Sequence, residues 1–68
     1  MNAEHRQEDL APRTVRELAG WPKHRMAIMA GVGIGLVTLY EADPGSVADR
    51  FKREKLARIY ADLRSLVS

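Results

Sequence analysis

Fifteen consecutive residues, Met26 to Tyr40 (MAIMAGVGIGLVTLY), carry no charge, and Gly31, Gly33 and Gly35 stand among them at alternate positions. In a chain of 68 residues, such a block either forms the centre of the only possible core or leaves water for another medium. Every position in it is apolar or small except Thr38, so its hydrophobicity has neither a helical nor an alternating period. That is the pattern of an element buried on all sides.

Three structures compete for the block. A phosphate-binding loop is the weakest: Gly31, Gly33 and Gly35 give G-x-G-x-G, which is neither the dinucleotide fingerprint nor a Walker motif. Such loops also hang from a parallel sheet that a chain this short cannot build. A buried helix in a small soluble dimer suits the length, since fifteen residues rise about 22 Å against a hydrocarbon core of roughly 30 Å. Its three glycines each cost about 1 kcal/mol relative to alanine, however. A single transmembrane helix over 21–41 accounts for more. Trp21 and Tyr40 bracket it as interfacial aromatics, and Lys23 and Arg25 can extend their charges outward as further anchors. Ala27, Gly31 and Gly35 recur every four residues as a smooth helix-packing ridge. Ile28, Val32, Leu36 and Leu39 would then meet lipid.

The charges support a chain that crosses between media. Residues 1–25 hold five basic and four acidic groups, residues 26–40 none, and residues 44–68 six basic and three acidic groups. Both flanks are basic, so orientation stays open. The leading region is long and acidic and the exit lacks a small-residue cleavage pattern, so the block is not expected to be a cleaved signal.

The flanking segments read as helices. Residues 1–20 form a polar arm: MNAEHRQEDLA is aperiodic, and a short helix follows, opened by Pro12 and capped by Gly20, with Val15, Leu18 and Ala19 on one face. Residues 42–46 form a turn at Pro44 and Gly45. Ser46 is placed as an N-cap, with Asp49 completing a capping box. From 47 to 67 runs a basic amphipathic helix. Phe51, Leu56, Ile59, Tyr60 and Leu63, with Val47 and Val67, make a stripe suited to a partner's surface. Asp49/Arg53, Glu54/Arg58 and Arg58/Asp62 are spaced for ion pairs. The expected fold is therefore all-α: one transmembrane helix between a short N-terminal and an amphipathic C-terminal helix, with no independent globular core.

Chemistry has few footholds. There is no cysteine, and His5 and His24 lack metal-ligand spacing. No carboxylates, histidine or serine converge on a catalytic pattern, and acids dilute the basic helix too much for nucleic acid. The expectation is a non-catalytic protein without cofactor, metal, small-molecule substrate or nucleic-acid partner.

The layout resembles small single-span accessory subunits of mitochondrial inner-membrane complexes. The MNLL-type subunit of complex I is suggested by Trp21 and His24 before the block, GVGIG within it and RFKREKL after a short acidic exit. Subunit e of mitochondrial ATP synthase is similar in having Ala27/Gly31/Gly35 followed by a charged terminal helix. The likeness covers residues 21–63; the DPGS turn and the first twenty residues match neither pattern. It implies a structural or assembly subunit of a respiratory membrane complex, complex I first and ATP synthase second. The implied partners are larger membrane subunits and the lipid bilayer, in the mitochondrial inner membrane. A small soluble helical dimer is the remaining alternative.

Overall fold

The structure, a computed structural model, describes residues 10–67. Most of the aperiodic N-terminal tail therefore lies outside the described residues. Four α-helices, α1 (Pro12–Leu18), α2 (Lys23–Ala30), α3 (Ile34–Ala42) and α4 (Arg50–Val67), are joined by short turns, with a 3-10 turn at Pro44–Ser46. No strand occurs among the described residues, and the chain is all-α.

Two helices end by one mechanism. At the end of α1, Gly20 takes φ +76. There its N–H donates to the Glu17 carbonyl, and the Trp21 N–H donates to that of Arg16. At the end of α2, Gly31 takes φ +68. Its N–H donates to the Ile28 carbonyl, and that of Val32 to Ala27. Both are Schellman endings, in which a left-handed glycine lets the chain satisfy the last carbonyls while it turns away. After Gly31, Gly33 is extended (φ −82, ψ 159) and α3 begins.

This corrects the expected continuous helix over 21–41. The block holds two helices bent by 104° at Gly31–Gly33. Their eight and nine residues rise only about 12 and 14 Å at 1.5 Å each. No single helix among the described residues is long and apolar enough to cross a membrane; only the bent pair, taken together, has that length and composition.

The expected lack of a core is corrected as well. Val15, Met26, Ala27, Ala30, Val37, Tyr40, Val47, Leu56, Tyr60 and Leu63 are buried together, with Trp21, Val32, Leu36, Ile59 and Val67 packed around them. The bend makes this possible. It folds the inner faces of α2 and α3 back onto α4, so an element that reads as apolar all round buries one side within the chain. The other side stays exposed.

The start of α4 also differs from the capping-box reading. Ser46 belongs to the 3-10 turn, where its hydroxyl donates to the Asp43 carbonyl (2.7 Å). Val47 is extended and buried. Asp49 is the cap: its Oδ1 accepts the Lys52 N–H at 3.1 Å, satisfying an otherwise orphaned donor of the first turn. Arg53 therefore turns to the Val47 carbonyl (2.8 Å), and Glu54 pairs with Arg50 (3.0 Å) instead of Arg58. Asp49→Ala should lower stability by about 1 kcal/mol, and Ser46→Ala by clearly less, in urea unfolding followed by circular dichroism. The reverse order would return the cap to Ser46.

Candidate functional site

The core encloses an ionic cluster. Arg16 projects from α1 and Glu41 from α3, and their side chains are only 8% and 5% exposed. The guanidinium grips the carboxylate with two nitrogens: Nε donates to Oε2, and Nη2 to Oε1 at 3.2 Å. Its remaining nitrogen, Nη1, donates to the Trp21 carbonyl at 2.9 Å, fixing the α1–α2 turn. From α4, the Tyr60 hydroxyl donates to Glu41 Oε2. Tyr40 stacks on the Tyr60 ring with centroids 5.2 Å apart and planes 11° apart. One carboxylate thus joins α1, α3 and α4, and every polar atom of the pair has a partner, the condition under which a buried ion pair is tolerable.

The electrostatics make this cluster a clamp. Burial alone pushes the Glu41 carboxyl up, but the hydrogen bonds from Arg16 and Tyr60, with the Arg16 and Lys23 charges, hold it below the ordinary value. Burial pushes the Tyr60 phenol well up, and its hydrogen bond to Glu41 adds to that. The Arg16 guanidinium is raised by its hydrogen bond to Glu41. Near neutrality the carboxylate keeps its charge, the phenol keeps its proton, and neither is poised for proton transfer.

Above the clamp lies a groove of about 190 Å3 lined by Arg13, Lys23, Thr38, Glu41 and Ala42. Lys23 Nζ donates to Thr38 Oγ1 at 3.1 Å across it, and Arg13 pairs with Glu17 (3.0 Å) at its exposed edge.

Comparison with protein-family models, curated proteins and solved structures gives no match. Function must be read from this chain's own surface.

The residues singled out in sequence fall into different places. Ala27 faces the core of α2, Gly31 ends that helix, and Gly35 sits on α3 with open space beside it. The three do not share a helix and form no ridge. Of the aromatic brackets, Tyr40 is buried and Trp21 is half-buried; Arg25 lies over the Trp21 ring at 4.2 Å. On α4, Leu56, Tyr60 and Leu63 are buried and Ile59 is half-buried, all within this chain. Phe51 stands apart at 71% exposed, with Lys55 over its ring at 5.5 Å.

Arg16 and Glu41 were not legible as a pair. They are 25 positions apart, and no periodicity links such residues. One signal was available: Glu41 is the only acid between Glu17 and Asp43, and it closes an apolar run.

Large apolar side chains are exposed on every helix, Leu18 on α1 and Phe51 and Leu66 on α4 among them, and four stand on α2 and α3. Ile28 is 74% exposed, Met29 58%, Ile34 50% and Leu39 41%. No acid lies between residues 18 and 40. Lys23, His24 and Arg25 open α2, and Lys55 of α4 reaches the bend, its Nζ 3.6 Å from where a Gly31 side chain would begin.

Proposed function

We propose that the chain is a non-catalytic docking module that seats the outer faces of α2 and α3 in the interfacial zone of a membrane, beside larger membrane subunits. The observation that carries this is the exposed set Ile28, Met29, Ile34 and Leu39 on α2 and α3, in a stretch with no acid between residues 18 and 40 and with Lys23, Arg25 and Lys55 near its ends. Exposed apolar side chains flanked by basic ones suit an element lying in a bilayer interface.

The magnitudes suit reversible docking. Sinking a large apolar side chain fully is worth roughly 1.5–3 kcal/mol, so four that are partly exposed supply on the order of 5 kcal/mol. Each Lys or Arg near an anionic surface adds about 1 kcal/mol. The sum is comparable to one fatty-acyl anchor, and a second attachment to a partner subunit would make it durable.

A crossing helix would require α2 and α3 to straighten at Gly31, giving up its capped turn and the packing of both helices on α4. An interfacial seat keeps both. The resemblance to small accessory subunits of respiratory complexes supports the same kind of role, assembly without catalysis. It makes the mitochondrial inner membrane the first membrane to examine, with complex I and then ATP synthase as first hosts.

Flotation with phospholipid vesicles tests the seat. The wild-type chain should rise with the vesicles. Ile28→Glu and Leu39→Glu should each weaken binding tenfold or more with the thermal melt unchanged, because both side chains point out of the core. A wild-type chain left at the bottom of the gradient would overturn the proposal. Comigration with a large complex on a native gel would then identify a purely protein host.

A further inference from the structure

We infer that the groove between α1, α2 and α3 is a seat for a phosphate group, held by Arg13, Lys23 and Thr38. Its 190 Å3 amounts to the share of about six liquid waters at roughly 30 Å3 each, enough for a tetrahedral oxyanion and part of its hydration.

The donors are of the right kind and already juxtaposed. Lys23 carries three donors and commits one to Thr38 Oγ1. The Thr38 oxygen accepts that bond, which leaves its own hydroxyl hydrogen to give; among the described residues it meets no acceptor. Among the described residues Arg13 is held only by Glu17, in an exposed ion pair, its side chain 69% exposed. Such pairs are worth little, so the guanidinium can turn toward a phosphate and offer two parallel donors. Glu41 also lines the groove, but both of its oxygens are engaged by Arg16 and one by Tyr60 as well. Its charge is balanced by Arg16. Lys23 is the first residue of α2, which has no side-chain cap, so the positive end of that helix adds to the field.

Two sources carry such a group, a lipid headgroup and free inorganic phosphate. The groove lies at the ends of α2 and α3 away from the bend. The headgroup source rests on the membrane seat proposed above; the phosphate chemistry of the groove does not.

Two experiments on the full chain separate these. Titration with inorganic phosphate, followed by amide NMR, should give saturable shifts at Arg13, Lys23 and Thr38 that potassium chloride at matched ionic strength does not reproduce. Flotation should compare phosphatidylcholine vesicles with vesicles that also contain phosphatidic acid. The wild-type chain should prefer the latter at least tenfold. Arg13→Gln/Lys23→Gln should abolish that preference, and Thr38→Val, which changes no charge, should reduce it several-fold. Lys52→Gln/Arg58→Gln, equal in charge and on the exposed face of α4, should retain most of it.

Shifts with inorganic phosphate that vanish in the Arg13/Lys23 variant establish the site for free phosphate. Site-specific loss of the vesicle preference establishes it for a headgroup. If phosphate gives no saturable shift and the two double variants behave alike, the inference is overturned. If no vesicles bind at all, the membrane seat fails, and the phosphate titration alone decides the groove.

Discussion

Glu41→Ala is expected to remove a large share of the chain's stability at 25 °C. Removing one partner of a buried ion pair costs roughly 3–5 kcal/mol, because the other charge stays buried without compensation. Here the abandoned groups are the Arg16 guanidinium and the Tyr60 hydroxyl, both of which aim at Glu41. At about 0.05–0.15 kcal/mol per residue, a chain of 68 residues has roughly 3–10 kcal/mol to lose. Arg16→Met/Glu41→Leu should recover most of the loss, since replacing both charges by apolar groups leaves nothing uncompensated. Urea unfolding followed by far-UV circular dichroism measures both. A Glu41→Ala chain within about 1 kcal/mol of wild type would show that the clamp does not hold the fold.

The same cluster sets the pH range of stability. Glu41 is depressed in the folded chain, so between its folded pKa and the ordinary carboxylate value near 4.3 the unfolded chain binds the extra proton. Its stabilisation is therefore complete above that ordinary value and is lost as pH falls through the folded one. Tyr60 is raised, so from about pH 10 upward the unfolded chain releases the proton first. That contribution is complete below pH 10 and lost as pH rises toward the folded pKa. Stability should form a plateau between these limits. Tyr60→Phe should flatten its alkaline edge more than its acid one, although Tyr40, raised by burial, keeps part of the alkaline slope.

Legibility in the sequence followed the range of the forces involved. Helix α1 and its glycine stop rest on local punctuation at Pro12 and Gly20, and α4 on the spacing of Leu56, Ile59, Tyr60 and Leu63. Local rules reach that far. The start of α4 was harder, because Ser46 and Asp49 are both competent caps and the choice depends on Val47 being drawn into the core. The clamp depends on which helices meet, and no spacing rule reaches from Arg16 to Glu41. The bend at Gly31 is a different case. The glycine rule that stops α1 at Gly20 applies equally to Ala30-Gly31-Val32, but an uninterrupted apolar run makes continuation look natural. Apolarity on every side says that an element is covered. It does not say whether lipid or the rest of the chain covers it, and here the chain covers one face by folding the run in two.

The glycines give that distinction a sign. Gly31 sits at φ +68, where any L-residue is strained, and Lys55 Nζ, the one atom among the described residues near its missing side chain, is at an ordinary 3.6 Å. Gly31→Ala should therefore cost about 1–2 kcal/mol through backbone conformation alone. Gly35 lies within α3 at ordinary helical geometry, and among the described residues nothing lies within 4 Å of a new Cβ. Gly35→Ala should gain about 0.4–1 kcal/mol by restricting the unfolded chain. On a continuous helix with a packing ridge, both positions are helical and equivalent, and alanine would act on them in the same direction. Thermal or urea unfolding of the two variants, each against wild type, decides between these structures. Opposite signs belong to the bent pair, and equal signs would restore the straight helix. The outcome also bears on the membrane seat, because only the bent pair turns Ile28, Met29, Ile34 and Leu39 outward while Met26, Ala30 and Val37 stay in the core.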